Sequence, residues 1–331
     1  MTMTSLILPS LLLLIGLALL VWSSDIFIDG AASTATHLNI SPLVIGVVVL
    51  GFGTSMPEIV VATLASLDGS PGIAIGNAVG SNIANIGLVL GLTALIAPVI
   101  VKSSILKREL PILLAISVGV YLLVLDGNLD VLNGIILLLA LVVVMFWMIK
   151  ANKSMDPSDP MAQETLQEME DMPELSMKKS LIFLIGGLLI LMISAKMMVA
   201  GAVEIAHYFE VPEVVIGLTI IAIGTSLPEL AAAIAAARKN EADLIIGNIV
   251  GSNLFNILAV MAVPALLAPS VLEPEILRID MVVMLGFTLA MLIFALPLRG
   301  QASIDRTRGL LLSAAFFGYL YMLYLRSTGG M

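Results

Sequence analysis

Long uninterrupted runs of apolar residues dominate the pattern of this chain. Four of the clearest cover residues 6–22, 135–149, 181–193 and 281–296. A helix of about 20 such residues crosses the hydrocarbon core of a bilayer, where only helices or closed barrels satisfy every backbone hydrogen bond. Because the runs lack the two-residue alternation of a barrel strand, they predict an all-α polytopic membrane protein. We interpret the first run as a retained span, since neither a basic stretch nor a small-residue cleavage site flanks it.

Charged residues, glycines and prolines divide this pattern into ten predicted spans. A connection at 151–178 carries seven acidic residues and separates two halves of five spans each, 1–150 and 179–331. It lacks the ligand spacing of an EF-hand, so we interpret it as a solvated linker. The ten spans are 5–25, 41–66, 72–98, 104–125, 130–150, 179–206, 212–237, 243–268, 277–297 and 306–326.

Composition supports the membrane interpretation and excludes several classes of protein. Hydrophobic residues make up 60% of the chain and charged residues only 12%, whereas soluble domains are about 45–50% apolar. A net charge of −9 argues against a nucleic-acid partner. The absence of cysteine excludes disulfides and thiolate metal sites.

The distribution of Lys and Arg predicts the orientation of the spans. These residues accumulate on the cytoplasmic side of membrane proteins. With the connection 151–178 placed inside, twelve of them lie in inner connections and two, Arg278 and Arg326, in outer ones. Lys196 is left inside a span. The prediction is a protein of the cell (inner) membrane with both termini external and the acidic loop cytoplasmic.

Two polar motifs occur twice, at one constant offset. The segment Gly53-Thr54-Ser55-Met56-Pro57-Glu58 recurs 171 residues later as Gly224-Thr225-Ser226-Leu227-Pro228-Glu229. At the same offset, residues 76–86 recur as 247–257, with eight of eleven positions identical. Because each half has an odd number of spans, the second half enters the membrane from the opposite side. The sequence therefore predicts inverted-topology repeats whose motifs meet near the bilayer centre.

The repeat also relates Asp25 to Lys196. Inversion places these two residues at opposite membrane faces, so we do not expect them to pair with each other. Lys196 is expected to extend toward the outer interface.

The first motif contains the groups that a hard cation requires. Pro57 and Pro228 remove a backbone donor and crowd the carbonyl four residues earlier, which predicts a broken span. Broken backbone at membrane depth is tolerated where it lines a water-filled or ion-filled site. Carbonyl, hydroxyl, amide and carboxylate oxygens suit Ca²⁺ or Na⁺, whereas soft metals prefer Cys or His.

Glu58 and Glu229 are the strongest candidates for function. A carboxylate near the bilayer centre costs about 2.5–3.5 kcal/mol on insertion scales and is rarely kept without a role. No Lys or Arg lies near either residue in the four motif spans. Two adjacent carboxylates without a basic partner share protons or bind a cation. A protonated pair that only joins two helices by hydrogen bonds is the structural alternative.

The second motif contributes amides and hydroxyls, among them Ser81 and Asn85, which lie four residues apart and so share a helix face. Its glycines form GxxxG patterns in both halves, and we interpret these as helix-packing residues rather than ligands. The polar residues of this motif are Asn77, Ser81, Asn82 and Asn85, then Asn248, Ser252, Asn253 and Asn256.

Together the duplicated motifs resemble the alpha-repeats of the sodium/calcium exchanger (calcium/cation antiporter) superfamily, over essentially the whole chain. The resemblance implies a secondary antiporter, with no cofactor, in which spans 1 and 6 slide across a rigid core. It implies an ion site between spans 2, 3, 7 and 8. The ligand positions that it implies are Glu58, Glu229, Thr54, Ser55, Thr225, Ser226, Ser81, Asn85, Ser252 and Asn256, with the carbonyl groups of Gly51 and Ala222.

The coupling ion stays open at this point. Some members of the family carry Asp where this chain has Asn256, and the two carboxylates are the only formal charges of the implied site, which makes K⁺ co-transport less expected. We expect exchange of Ca²⁺ for Na⁺, with Ca²⁺ (or another cation) against H⁺ as the alternative. An intramembrane aspartyl protease is the rival from another class, but both acids are Glu and no Gly-Asp catalytic pair lies in the spans. A receptor role fits the fold but not the duplicated ligands. A monomer suffices for all of this, and the oligomeric state is left open.

Overall fold

The structure is a computed structural model that describes residues 6–38, 42–101, 105–153, 175–209, 222–297 and 302–327. The described residues are mostly helical. The longer helices are α1 (Ile7–Leu38), α2 (Gly46–Thr54), α3 (Met56–Leu67), α4 (Pro71–Ile96), α5 (Leu110–Leu123), α6 (Val131–Lys153), α7 (Met177–Tyr208), α8 (Ala222–Thr225), α9 (Leu227–Arg238), α10 (Ala242–Leu267), α11 (Ile276–Ala295) and α12 (Arg306–Ser327).

Seven of the described helices are long and apolar enough to cross a membrane, and α2 and α3 together form an eighth candidate bent by 46°. Helical segments occupy all ten predicted spans. However, α5 is short and follows the charged turn Ile105–Glu109, and most of the first half of the predicted span 212–237 lies outside the described residues. The structure therefore supports seven or eight candidate spans by length and composition.

The predicted end of the first span at residue 25 is wrong. Helix α1 continues through Asp25 and Asp29 to Leu38. Both residues are held there by one lysine, because Lys239 Nζ lies 2.6 Å from Asp29 Oδ1 and 3.2 Å from the carbonyl oxygen of Asp25. A charge in the sequence marked the membrane boundary but not the end of the helix.

The predicted connection 151–178 is also shorter than expected at both ends. Helix α6 continues to Lys153 and α7 begins at Met177. Residues 154–174, which include the seven acidic positions, lie outside the described part of the chain.

The secondary structure repeats at the offset of the sequence motifs. Two π-helical segments, Asn85–Leu90 and Asn256–Val260, begin 171 residues apart. Two more, Ile105–Glu109 and Ile276–Asp280, are separated by the same number. The residue after α3 and the residue after α9 also correspond, and each is followed by a left-handed residue, Gly69 (φ 75°) or Asn240 (φ 60°). The two halves thus share local backbone detail as well as motifs.

Two short antiparallel ladders join the halves to each other. Strand β1 (Val99–Ile100) pairs with β4 (Ser303–Ile304), and β2 (Asn128–Leu129) pairs with β3 (Ser270–Val271). Since β1 and β3 are separated by 171 residues, the second ladder repeats the first with the halves exchanged.

Helices α1 and α7 pack closely along glycines that correspond in the repeat. A Cβ on Gly16 would lie 2.8 Å from Met198 Cγ, and one on Gly187 would lie 2.8 Å from the Cα atom of Phe27. Similarly, Gly30 contacts the backbone of Leu184, and Gly201 contacts the backbone of Leu13. Each contact made by α1 is therefore repeated by α7 with the roles of the helices exchanged, and the absence of side chains lets the two backbones meet.

Apolar side chains face outward over much of the surface, while polar side chains are buried in the centre. On α6, Val142, Val143 and Phe146 each expose about two-thirds of their surface. By contrast, the polar motif residues in α2, α4 and α10 are almost completely buried. This reversal is the pattern of a protein in lipid, where the solvent is as apolar as the core.

Candidate functional site

The site lies where two helices break. Helix α2 ends at Thr54, Ser55 leaves the helical conformation, and α3 begins at Met56 with Pro57 in its first turn. In the second half, α8 ends at Thr225, Ser226 forms the break, and α9 begins at Leu227 with Pro228 in its first turn. The breaks predicted from the two prolines are present in both halves.

The break places Glu58 and Glu229 in the first turns of α3 and α9. Both side chains are buried, with exposed fractions of 0% and 1%, and none of their four carboxylate oxygens has a hydrogen-bond partner among the described residues. The two carboxyl groups lie close enough to interact electrostatically. No ion pair in the described part of the chain involves either residue. An uncompensated pair of this kind provides a strong site for a cation.

Hydroxyl groups approach both carboxylates from other elements. The side chain of Ser81 on α4 faces Glu58, and the side chain of Thr54 at the end of α2 faces Glu229. Each carboxylate therefore meets a neutral oxygen that the sequence motif also supplies.

Thr54 joins the first motif of one half to the second motif of the other. Its hydroxyl oxygen lies 3.0 Å from the carbonyl oxygen of Leu50, 3.1 Å from Asn248 Oδ1 and 3.1 Å from Ser252 Oγ. Because a hydroxyl carries one proton, Thr54 can donate only one of these bonds. The remaining oxygens are neighbours without a proton between them, an arrangement that favours a cation nearby.

The carbonyl group of Gly51 is not free, although the sequence predicted it as a ligand. It accepts hydrogen bonds from the backbone N–H of Ser55 at 3.2 Å and from Ser252 Oγ at 3.4 Å. Ala222 begins α8 at the corresponding position.

The amides of the second motif meet across the halves. Asn85 Nδ2 donates to Asn253 Oδ1 at 3.2 Å, while Asn85 Oδ1 and both amide atoms of Asn256 have no hydrogen-bond partner among the described residues. The hydroxyl groups of Ser55 and Ser226 are likewise buried without a partner there. The site is therefore rich in unused oxygen atoms.

Ser81 and Thr225 line a cavity of about 430 Å³ together with Gly76, Asn77 and Gly80. Thr225 is half-buried, unlike Thr54. The far side of the cavity is mostly apolar, with Phe316, Tyr319, Leu320 and Leu323.

The interpretation of the glycine pattern as packing is confirmed in the second half. A Cβ on Gly46 would lie 2.9 Å from the Cα atom of Gly247, one on Gly51 would lie 2.7 Å from that of Gly251, and Gly251 itself contacts the backbone of Val47. No described atom lies within 4 Å of a Cβ built on Gly76 or Gly80.

Sequence reasoning underrated two residues of the site. Asn248 and Asn253 belong to the second motif but were not among the predicted ligands, yet each accepts a hydrogen bond from a predicted ligand of the other half. Their position beside Ser252 within the motif was the available signal. Which partner each would meet could not be derived from spacing.

Comparison with known proteins places this geometry among ion exchangers. The family model described as sodium/calcium exchanger protein matches residues 8–150 and 179–325. The chain is 43% identical to the provisionally named antiporter CaxA of Alkalimonas amylolytica, over 95% of this chain and 98% of that protein. It is 40% identical to the inner membrane protein YrbG of Escherichia coli, over 96% and 97%. A solved structure of the sodium-calcium exchanger NCX_Mj, soaked with zero Na⁺ and Ca²⁺, superposes with a TM-score of 0.82 at 34% identity and covers 96% of this chain and 99% of that one.

Proposed function

We propose, on the premise that this chain belongs to the sodium/calcium exchanger family, that it exchanges Ca²⁺ for Na⁺ across a membrane by alternating access. Its relatives are exchangers and antiporters, so the protein is a transporter rather than an enzyme. One observation carries the proposal: Glu58 and Glu229 face each other in the interior, and their oxygens have no hydrogen-bond partner among the described residues.

The surrounding groups favour a hard divalent cation. Ca²⁺ takes about six to eight oxygen ligands, which can be carboxylates, carbonyls, hydroxyls and water. Two carboxylates neutralise its charge, and neutral oxygens complete the shell. The proposed ligands are Glu58, Glu229, Thr54, Ser55, Thr225, Ser226, Ser81, Asn85, Ser252 and Asn256, with the carbonyl groups of Gly51 and Ala222.

The choice of Na⁺ as the counter-ion rests on the number of neutral oxygens. One Ca²⁺, two Na⁺ or two protons would each neutralise the two carboxylates. Protons need only the carboxylates, whereas Na⁺ needs several oxygens. The partnerless hydroxyls of Ser55 and Ser226 and the partnerless amide oxygens of Asn85 and Asn256 have a use in Na⁺ exchange and none in pure H⁺ exchange. Exchange against H⁺ is the second candidate.

The proposed architecture is ten spans in two inverted five-helix repeats, 1–150 and 179–331, joined by the acidic loop. The exchanged ladders and the exchanged glycine contacts of α1 and α7 support it, because a two-fold axis in the membrane plane produces contacts of this kind. Both ladders also join connections that the ten-span topology places on the same side of the membrane.

The proposed orientation has both termini outside and loop 151–178 in the cytoplasm. The distribution of basic residues supports it, and the Escherichia coli relative is named as an inner membrane protein. In this orientation the ladder of β1 and β4 lies at the cytoplasmic face, and that of β2 and β3 lies at the external face.

Ion flux into reconstituted vesicles tests the function and the coupling ion together. Vesicles containing the purified protein and Na⁺ are diluted into Na⁺-free medium with ⁴⁵Ca²⁺ and a protonophore. We expect Ca²⁺ uptake that requires the outward Na⁺ gradient and persists with the protonophore. Uptake that ignores Na⁺ and collapses with the pH gradient would identify the H⁺ antiporter, and the absence of Ca²⁺ uptake under both gradients would refute Ca²⁺ antiport.

A further inference from the structure

We propose that Asn253 is a positioning residue that turns the side-chain oxygen of Asn85 toward the transported cation. This inference rests on the proposed function. It assigns a role to an amide outside the ligand set above.

The geometry fixes which end of Asn85 faces the site. Asn85 lies one helical turn after Ser81, whose side chain faces Glu58. Its Nδ2 donates to Asn253 Oδ1, and its Oδ1 has no partner among the described residues. The nitrogen and oxygen of an amide point in different directions from the same carbon, so a bond that holds the nitrogen also aims the oxygen.

The orientation matters because a cation tolerates only one end of the amide. An oxygen ligates Ca²⁺ or Na⁺, whereas an NH₂ group would direct two partial positive charges at it. Asn253 is buried, with an exposed fraction of 1%, so no water competes for its oxygen. It therefore presents an acceptor to Asn85 from the opposite half of the molecule.

The repeat supplies a matched control. Asn82 occupies the position of Asn253 in the first half, but its Nδ2 donates to Met284 Sδ at 3.5 Å, and its Oδ1 has no partner among the described residues. Both amide atoms of Asn256, which corresponds to Asn85, also have none there. In this conformation Asn82 therefore orients no proposed ligand.

Calorimetric titration of Ca²⁺ into the purified protein in detergent tests the role, with Asn253→Ala, Asn253→Asp and Asn82→Ala compared. Loss of the orienting acceptor in Asn253→Ala should weaken Ca²⁺ binding about tenfold, as for a buried hydrogen bond that serves a charged group. Asp presents only oxygens to Asn85, so Asn253→Asp should bind Ca²⁺ as tightly as the wild type or more tightly. Asn82→Ala should change binding less than Asn253→Ala.

A role in packing alone predicts a different order. Asn253→Asp would then be as weak as Asn253→Ala, because it buries a new charge, and that result would overturn the proposal. Equal effects of Asn82→Ala and Asn253→Ala would overturn it too. If Asn253→Ala does not fold, Asn253→Leu removes the acceptor while keeping the volume. Wild-type protein that binds no Ca²⁺ would count against the proposed function instead.

A second inference comes from an independent contact at the end of α9. Lys239 follows this helix and reaches across to α1, where its Nζ contacts Asp29 Oδ1 and the carbonyl oxygen of Asp25. The ion pair is partly buried. It ties α1 to the helix that carries Glu229, at the face that the proposed topology makes cytoplasmic.

The repeat reverses the charges of this contact. Lys239 corresponds to Asp68, which follows α3, and Asp25 corresponds to Lys196 on α7. Asp68 and Lys196 are exposed, and they form no ion pair with each other in the described part of the chain. A closed contact at one face therefore has an open counterpart of opposite polarity at the other.

We infer that Asp68 and Lys196 pair when the transporter turns its site toward the cytoplasm, as the Lys239–Asp29 pair opens. Each pair then stabilises one of the two access states. The described conformation, with the cytoplasmic pair closed, is the outward-facing one in the proposed orientation.

The two pairs predict opposite shifts in external Ca²⁺ affinity, because a ligand binds more weakly when its competent state is less populated. In right-side-out vesicles, Lys239→Gln should raise the external KM for Ca²⁺ and Lys196→Gln should lower it, each by up to about fivefold, the range of partly exposed ion pairs. Lys107→Gln, at an exposed inner position, is the control for lost charge.

The exchanged pair Asp68→Lys with Lys196→Asp should restore the wild-type KM. KM shifts in the same direction for Lys239→Gln and Lys196→Gln, or no recovery in the exchanged pair, would overturn the inference. Wild-type vesicles without Ca²⁺ transport would refute the proposed function rather than this inference.

Discussion

Glu58 and Glu229 stay in the interior without a counter-charge from the protein. Gln has the same shape as Glu but no negative charge, so it preserves packing and removes the attraction for a divalent ion. We expect Glu58→Gln and Glu229→Gln each to reduce Ca²⁺ flux in vesicles at least tenfold, since interactions of charged groups contribute about 1.5–3 kcal/mol. Folded, inserted protein should still be recovered.

The control for this prediction is Glu273→Gln, which removes an exposed carboxylate outside the site and should leave flux unchanged. Normal flux in either Glu58→Gln or Glu229→Gln would remove that residue from the ligand set.

At the scale of residues, most of the candidate site could be predicted from the sequence. The duplicated Thr-Ser and Pro-Glu pairs identified the breaks and both carboxylates, because each chemical requirement lies within one short segment. The hydrogen bonds from Thr54 to Asn248 and from Asn85 to Asn253 could not be predicted. They join residues 194 and 168 positions apart, so they depend on how the two halves dock.

Among the elements, α7 offers two neighbouring glycines with different surroundings. A Cβ on Gly187 would lie 2.8 Å from the backbone of Phe27 on α1, whereas no described atom lies within 4 Å of one on Gly186. Replacement by alanine adds helix propensity of about 1 kcal/mol at both positions. We expect Gly187→Ala to lower the melting temperature and the Ca²⁺ flux, because the added methyl separates α1 from α7.

Gly186→Ala should keep or raise the melting temperature, since only the gain in helix propensity applies. If the two variants behave alike, close contact between α1 and α7 does not limit stability or transport.

The boundaries of elements were harder to predict than their existence. The sequence identified the apolar segments, but it ended the first span at residue 25, whereas α1 continues to Leu38. Charge normally ends a span because an isolated ion is costly in lipid. Here Lys239, 210 residues from its partner Asp29, provides the compensation, and no local pattern contains that information.

For the whole molecule, the charge asymmetry makes a prediction about sidedness. A reporter inserted within 151–178 should lie in the cytoplasm, and one fused after Met331 should lie outside. Twelve basic residues on one side against two on the other give the reason. Activity of paired reporters that work only in the cytoplasm or only outside provides the measurement. If both reporters lie on the same side, the proposed topology is wrong.

The two ladders bear on how such a molecule could have arisen. Each ladder takes one strand from each half, and Thr54 finds its amide partner in the opposite half. A single half would therefore lack part of every shared feature, whereas two separate copies inserted in opposite directions could supply all of them. The arrangement implies descent from an antiparallel pair of short chains, fused once a linker of suitable length had been acquired. Cutting the modern chain within that linker should consequently leave two fragments that still find each other in the bilayer.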